Sequence, residues 1–162
     1  MRARLATTRD IPGLVRLINA AYRVEAFFIR GDRTSPEEVH ALMEAPGSGI
    51  LVIDTSEPGH PAGAVHVETH GTRGHFGLLA VDPGQQGRGL GRSLITAVEA
   101  HCRAAGCEVV ELEVFNVRTE LPPFYASCGY VAEGTADFAK PELLLRPAHL
   151  ILMRKSIRTM ST

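Results

Sequence analysis

The sequence predicts an α/β fold of the α+β type, in which helices cover the faces of one mixed sheet. Apolar runs with strand and helix spacing follow each other in the order β-α-α-β-β-β-α-β-α-β-β. Short turns separate three strands in the middle, which predicts an antiparallel meander. A glycine-rich turn then leads from a strand into a long amphipathic helix. Together these observations predict a layered domain of about six to seven strands and about four helices.

The composition is typical of a globular protein. Of the 162 residues, 44% are apolar and 22% are charged, which suits a single domain over residues 1–162 with its own core. The formal net charge of −1 favours neither a nucleic acid nor an anionic membrane as a partner. No apolar run approaches the length of a membrane span.

The cysteines and the first residues indicate the compartment. Cys102, Cys107 and Cys128 are irregularly spaced and form no CxxC pair, so we expect free thiols in a reducing cytoplasm. Cys102 and Cys107 are expected to be buried as small apolar side chains. Residues 1–10 are polar and lack the apolar core of a secretory signal.

Two capped helices are predicted near the start of the chain. Residues 4–7 form a short strand, and a capping-box pattern at 7–10 opens a helix that runs to about Tyr22. A second capping box at 35–38, with proline at the first helical position, opens a helix that ends near Glu44. The meander then follows as strands at residues 50–54, 62–69 and 75–81.

The second half of the chain is predicted to alternate helices and strands. The apolar stripe of the long helix consists of Leu90, Leu94, Val98 and Cys102. Gly106 suits the position after its C-terminus, and residues 109–115 alternate as a strand. Two prolines open a short helix through Ser127, and strands at 130–132 and 149–154 complete the sheet.

The glycine-rich turn at residues 84–94 has the properties of a phosphate cradle. Glycines at every second position permit backbone conformations closed to other residues and let a ligand approach amides at a helix N-terminus. A dinucleotide fingerprint would need glycine in place of Arg92, and a Walker motif would need lysine in place of Leu90. A nucleophile elbow around Ser93 would need glycine in place of Ile95. The alternative to a phosphate cradle is a glycine-rich turn from strand to helix that binds no ligand.

One family does fit this stretch. Gln86-Gly87-Arg88-Gly89-Leu90-Gly91 resembles the Gln/Arg-x-x-Gly-x-Gly/Ala signature of the GNAT family of N-acetyltransferases. The resemblance continues through Asn116, Tyr125 and the pair at 129–130, and it covers residues 5–155. It implies the GNAT fold, with a mixed, mostly antiparallel central sheet. It also implies an acyltransferase that moves an acetyl group from acetyl-CoA to a primary amine by direct attack in a ternary complex.

The resemblance assigns a set of residues to acetyl-CoA. The expected cofactor-binding residues are Leu79, Ala80, Val81, Gln86, Gly87, Arg88, Gly89, Leu90, Gly91, Arg92 and Asn116. The first three would line the pantetheine arm between two diverging strands, and an amide near Leu79 or Ala80 would polarise the thioester carbonyl. The glycine loop would hold the pyrophosphate. Asn116 would bind the cofactor or order its loop, and a turn or cap role is equally open.

Two residues are the candidate catalytic groups. Tyr125 begins a stretch that resembles the family's Tyr-x-x-x-Gly-Phe/Tyr pattern. A phenol with an ordinary pKa of about 10 is protonated at neutral pH, so it can act as general acid for the CoA thiolate. The alternative is packing beside Phe124. His75 is the candidate general base, since imidazole titrates in the useful range. Glu111, Glu113 and ordered water are the competing assignments.

The sequence and the family resemblance also give expectations about a metal site, the acceptor and binding partners. His66, His70 and His75 lack the spacing of a zinc site, so no metal is expected. A small-molecule or peptide amine is the expected acceptor, chosen by residues 25–33 and 137–145, the segments that the family varies most. A protein N-terminus or lysine would need an open groove between those segments. A CoA-binding module without catalysis is a further alternative, and a homodimer is an expectation from the family alone.

Overall fold

The strands form one mixed sheet with helices on its faces. The computed structural model describes residues 2–158. Its elements are β1 (Ala3–Leu5), α1 (Ile11–Ala21), α2 (Pro36–Glu44), β2 (Ser48–Asp54), β3 (Pro61–His70), β4 (Arg73–Val81), α3 (Leu90–Ala104), β5 (Val109–Phe115), α4 (Leu121–Ser127), β6 (Val131–Ala136) and β7 (Leu150–Ser156). The sheet has seven strands in the order β1-β2-β3-β4-β5-β7-β6. Only β4 and β5 pair in parallel, so the predicted mostly antiparallel sheet is confirmed.

Local capping signals start the first two helices as predicted. The amide of Thr7 donates to Asp10 Oδ2 at 2.7 Å, and a short 3₁₀ turn joins this cap to α1. The hydroxyl of Ser35 accepts from the amide of Glu38 at 3.2 Å at the start of α2. Strand β1 therefore ends at Leu5, earlier than predicted, because Thr7 belongs to the cap and not to the sheet.

Helices cover both faces of the sheet and bury two apolar clusters. The predicted stripe of α3, including Leu94 and Val98, is buried in one cluster. Leu14 of α1 and Val39 of α2 belong to the other cluster, together with Ala80 of β4. Strand β4 thus contributes to both clusters, since successive side chains of a strand point to opposite faces.

The central parallel pair is short. Strands β4 and β5 pair only from Arg73 opposite Val109 to His75 opposite Glu111, although β4 continues to Val81. Strand β5 pairs with β7 along its whole length. The ladder therefore ends after His75 and leaves an opening in the middle of the sheet.

A bulge lies on β4 beside this opening. Ala64 pairs with Ala80 and His66 with Gly77, so one residue of β3 faces both Leu78 and Leu79. Leu78 has a φ of 51°, in the left-handed region that favours glycine. A bulge removes backbone groups from the ladder, and backbone strain of this kind often marks a functional position.

The last strands differ slightly from their predicted bounds. Strand β6 begins at Val131 and not at Tyr130, because the backbone amide of Tyr130 donates to the Tyr125 carbonyl of α4 at 3.0 Å. Strand β7 begins one residue later than predicted and runs to Ser156. Among residues 2–158, no helix is long and apolar enough to cross a membrane.

Candidate active site

A cavity of about 470 Å³ lies between the end of β4, the start of α3 and helix α4. It is lined by Ala21, Tyr22, Leu79, Val81, Gln86, Gly87, Gly89, Leu90, Gly91, Arg92, Arg118, Glu120, Leu121, Phe124 and Tyr125. We call it the glycine-loop cavity. Eight of the eleven predicted cofactor residues line it: Leu79, Val81, Gln86, Gly87, Gly89, Leu90, Gly91 and Arg92.

The backbone of the glycine loop has the form that the sequence predicts. Gly87 and Gly89 have φ values of 85° and 73°, which side chains with a Cβ rarely adopt. A Cβ at either position would meet no atom within 4 Å, so the loop faces open space. Helix α3 begins directly after Gly89, and its first amides lack partners within the helix. The loop therefore fits a phosphate-bearing ligand.

Three predicted cofactor residues do not line the cavity. The Ala80 side chain points to the opposite face, into the cluster with Leu14, because strand residues alternate. Arg88 is exposed. The side-chain oxygen Oδ1 of Asn116 accepts from the backbone amide of His149 at 2.8 Å. The backbone amide of Asn116 donates to the His149 carbonyl at 2.9 Å. These bonds favour an ordering role for Asn116 at the ends of β5 and β7.

Arg92 is held by helix α4. Its Nη2 donates to Ser127 Oγ at 2.7 Å, and the guanidinium lies 5.5 Å from the centre of the Phe124 ring. These contacts fix the positive charge at the rim of the glycine-loop cavity.

A second cavity of about 300 Å³ extends through the opening between β4 and β5. It is lined by Tyr22, Glu25, Arg33, Leu42, His66, His75, Phe76, Gly77, Leu78, Leu79, Leu112, Glu113, Val114, Phe115, Leu121, Tyr125, Phe138 and Leu150. We call it the histidine cavity. Tyr22, Leu79, Leu121 and Tyr125 line both cavities. The two spaces therefore meet at the β4 bulge and at the phenol of Tyr125.

Helix α4 places Tyr125 at this junction. Prolines occupy its first turn, and Gly129, with a φ of 98°, follows its C-terminus. The Tyr125 ring packs on Phe124 and Phe76, with centroids 5.2 and 5.9 Å away. Burial raises the pKa of Tyr125. The phenol is therefore both packed and presented to the cavities in its protonated form.

His75 forms a close pair with Glu113. Its Nε2 lies 2.6 Å from Glu113 Oε2. Burial lowers the pKa of His75, but the hydrogen bond and charge of Glu113, together with Glu68 and Glu111, outweigh burial and raise it above the ordinary value. Glu111 is engaged elsewhere, since Arg73 binds it with two hydrogen bonds of 2.9 and 2.7 Å.

The other histidines and the cysteines have separate surroundings. His66 Nε2 lies 2.7 Å from Ser48 Oγ, and His70 lies 3.0 Å from Glu68. Within residues 2–158, no three side chains of histidine, cysteine, aspartate or glutamate are placed to share a metal ion. Cys102 and Cys107 are buried free thiols, as predicted.

Sequence reasoning missed a cluster of charged side chains beside Tyr22. Glu25 is 4% exposed and accepts from Arg118 Nη1 at 2.8 Å. The guanidinium of Arg33 lies over the Tyr22 ring at 4.9 Å. Burial raises the pKa of Glu25, and the neighbouring arginines oppose this shift only in part. Glu25 lies in an irregular segment without periodicity, so no sequence signal indicated its burial.

The two segments expected to choose the acceptor are hydrogen-bonded to each other. The amide of Arg30 donates to the Leu143 carbonyl at 2.9 Å, and the amide of Leu145 donates to the Phe28 carbonyl at 2.7 Å. Ile29 and Leu144 form an antiparallel bridge between these bonds. The segments thus form a joined wall, with no open groove between them at this point.

Known proteins resemble the chain in sequence and in fold. Glucosamine 6-phosphate N-acetyltransferase 1 of Oryza sativa subsp. japonica is 37% identical in an alignment 89 residues long, which covers 51% of this chain and 52% of that relative. Mycothiol acetyltransferase of Thermobispora bispora is 38% identical over 69 residues, 41% of this chain and 23% of the relative. The match thus spans about half the length of the first relative and less of the second.

Solved structures share the fold over nearly the whole chain. YncA of Salmonella typhimurium, solved with its cofactor acetyl-CoA, superposes with a TM-score of 0.75 at 20% identity, covering 100% of this chain and 96% of that one. The ribosomal-protein-S18-alanine N-acetyltransferase of Escherichia coli gives a TM-score of 0.75 at 17% identity, covering 99% and 96%. At such identities these likenesses establish the fold alone.

The family assignment rests on the sequence itself. The model of the acetyltransferase (GNAT) family matches residues 14–130, which is more than half of the chain and includes the glycine loop and Tyr125. This match supports the prediction of an acetyl-CoA-dependent acyltransferase. The predicted fold and the predicted membership are both confirmed, and the chain belongs to the GNAT family of acetyltransferases.

Proposed function

We propose that the protein is an N-acetyltransferase that moves an acetyl group from acetyl-CoA to the primary amine of a small molecule, by direct attack in a ternary complex. The observation that carries the proposal is the meeting of two cavities at Tyr125 and Leu79. One cavity holds the phosphate cradle, and the other holds a histidine and carboxylates suited to an amine. Two reactants can thus approach the same point from different sides.

The glycine-loop cavity is the proposed cofactor site. Acetyl-CoA supplies an acetyl group activated as a thioester. Amides from Gly87 to Arg92 would bind its pyrophosphate, and Arg92 adds a positive charge at the rim. Leu79 and Val81 would line the pantetheine arm.

The β4 bulge would bind the thioester carbonyl. At Leu78 and Leu79 two residues of β4 face one residue of β3, so an amide there is released from the ladder. An amide directed at a carbonyl stabilises the negative charge that develops on its oxygen during attack. The strained φ of Leu78 fits a backbone that is held in place for such a role.

His75 and Tyr125 would move the protons. An ionised Glu113 only accepts hydrogen bonds, so His75 Nε2 donates to it and Nδ1 is left to take a proton from the amine. Because Glu113 raises the pKa of His75, the neutral imidazole that can take a proton becomes the main form at a higher pH than in an ordinary histidine. Tyr125 would protonate the departing thiolate.

A small acceptor is favoured over a peptide. The two segments that would flank a peptide groove are joined by hydrogen bonds at residues 28–30 and 143–145. The histidine cavity, of about 300 Å³, has the size of a small-molecule site. The rice relative is named for glucosamine 6-phosphate, a small amine, although the match covers only 52% of that relative. Three free thiols fit a cytoplasmic enzyme.

Calorimetry with acetyl-CoA, followed by thiol release in the same preparation with a panel of amines and peptides, tests the proposal. Binding together with release for small amines is the expected result. Binding without release for any amine would favour a CoA-binding module without catalysis. Absence of binding would overturn the cofactor site, and release with peptides alone would overturn the small acceptor.

A further inference from the structure

Two charged atoms beside the histidine cavity are buried and lack a partner. They are Glu25 Oε1 and Arg33 Nε, and within residues 2–158 no other buried side-chain nitrogen or oxygen is without a hydrogen bond. Both residues line the histidine cavity. A buried polar group without a hydrogen bond is costly, so such a pair at one cavity needs an explanation. A ligand that bears both a donor and an acceptor would satisfy both atoms.

Glu25 is fixed so that one of its oxygens remains available. Arg118 Nη1 binds Oε2 at 2.8 Å, and Arg118 Nε is also engaged with Glu120 at 3.3 Å. The carboxylate therefore cannot turn toward solvent without losing this bond. Oε1, on the same rigid group, is an acceptor that an amine can use.

Arg33 is fixed in a different way. Its guanidinium lies 4.9 Å from the centre of the Tyr22 ring, and it forms no ion pair with any residue in the range 2–158. Stacking holds the plane of the group and leaves its donors for another molecule. A planar guanidinium with free donors is well suited to a carboxylate or a phosphate.

The charges of the cluster favour the same kind of ligand. Glu25 and Glu120 each contribute one negative charge, and Arg118 pairs with both of these carboxylates. Tyr22 is neutral, since burial raises its pKa to about 12. Among residues 2–158, Arg33 is therefore the cation of this cluster that has no ion pair. A ligand with a neutral, attacking amine and one anionic group would balance that charge.

The geometry points to an acceptor that carries a carboxylate or phosphate close to its amine, with the amine on Glu25 Oε1 and the anionic group on Arg33. This inference rests on the proposed function, because it names the acceptor of that same site. Glu25 and Arg33 are in this view specificity-determining residues. His75 and Tyr125 keep the proton-transfer roles.

The unmodified protein provides the first test. Thiol release from acetyl-CoA is measured with matched amines: glucosamine 6-phosphate and glucosamine, O-phosphoethanolamine and ethanolamine, and amino acids and their primary amides. We expect kcat/KM for the anionic member to exceed that for its neutral partner more than tenfold in at least one pair. Equal or reversed preference in every active pair overturns the inference and leaves the proposed function intact. Release with no amine at all counts against both.

A binding test does not depend on finding the acceptor. With CoA present to occupy the glycine loop, inorganic phosphate and acetate are titrated separately into the protein and into two variants. Saturable binding of phosphate or acetate is expected for the wild type, with loss in Arg33→Gln. Arg23→Gln is the matched control, since Arg23 is exposed and lies outside the histidine cavity. Binding of neither anion, or binding that Arg33→Gln retains, overturns the inference. Response to phosphate alone or acetate alone identifies the anionic group.

The kinetics of the variants separate recognition from folding. Arg33→Gln should lower kcat/KM for the anionic acceptor more than tenfold and change the neutral partner less than twofold, while Arg33→Lys retains part of the preference. Glu25→Gln should raise KM for both members alike. Equal losses for both members in Arg33→Gln would point to a structural role and contradict the assignment.

Discussion

The two cavities that meet at Tyr125 are built in different ways. The glycine-loop cavity uses main-chain amides at the junction of a strand and a helix, and its key residues lie within one short stretch. The histidine cavity and its charged cluster use side chains from β4, β5 and two irregular segments, and the Glu25–Arg118 pair spans 93 positions of sequence. We propose that the first cavity binds phosphate through main-chain amides and that the second recognises the charges of the acceptor.

This difference would allow the cofactor side to be shared within a family while the acceptor side varies. A cradle of amides needs only glycine and a helix N-terminus, so it suits any ligand that bears a pyrophosphate. A cluster such as Glu25, Arg33 and Arg118 is matched to one distribution of charge, so a single substitution can change the acceptor. The predictions below separate the contributions of the two sides.

The largest effect is expected where the cavities meet. Tyr125→Phe removes the proton donor and keeps the packing on Phe76 and Phe124, so kcat should fall by about 100-fold or more. The Kd of acetyl-CoA measured by calorimetry should change little. Unchanged turnover at neutral pH would remove Tyr125 from the chemistry and leave it a packing residue.

The base on the acceptor side should determine the response to pH. His75 must be neutral to accept a proton, so kcat/KM should rise as pH increases through its pKa, which lies above the ordinary value because of Glu113, Glu68 and Glu111. His75→Gln should lower kcat/KM by about 100-fold and abolish this rise, the acidic limb of the pH profile.

Two further variants sharpen the pH test. Glu113→Gln removes the main group that raises the pKa of His75, so the limb should move to lower pH. His40→Gln is the control, since His40 is exposed on α2 and pairs with Glu44, away from both cavities. If the rise of kcat/KM with pH is unchanged in His75→Gln, water or another group is the base.

The cofactor side is tested at the glycine loop. Gly89→Val places a branched side chain at a φ of 73°, in the space where the ligand would lie, so the Kd of acetyl-CoA should rise tenfold or more, about 1.4 kcal/mol. Gly71→Val is the matched control, with a φ of 61° and equally open surroundings in the β3–β4 turn. Equal cofactor affinity in a folded Gly89→Val protein would contradict the cradle.

The smallest effect is expected at the wall of the acceptor side. Leu145→Pro removes the amide that donates to the Phe28 carbonyl, a bond worth about 1 kcal/mol. Phe28 packs on Phe115 of the histidine cavity, so KM for the acceptor should rise by at most about fivefold. The Kd of acetyl-CoA should stay the same, because this wall does not line the glycine-loop cavity. An effect on cofactor binding that equals the effect on KM would show that the wall supports both sides.

The sequence predicted the cofactor side in more detail than the acceptor side. The positive φ of Gly89 and the exposure of its loop follow from residue type and spacing. The Ala80 side chain lies in the cluster with Leu14 and does not line the cavity, because the bulge and strand alternation decide which side chains of β4 point there. Its contact with the cofactor stays a prediction. Asn116 faces β7, a partner that lies more than 30 positions later in the chain.

By itself, the sequence determined the order of the elements, the caps of α1 and α2, the buried stripe of α3 and the glycine loop. Each of these depends on residues within a few positions of one another, and local backbone preferences and periodicity encode such features. Only the tertiary structure decided the opening between β4 and β5, the bulge at Leu78 and the burial of Glu25 against Arg118. These depend on packing between distant segments, where burial and charge compensation arise only when the chain is folded.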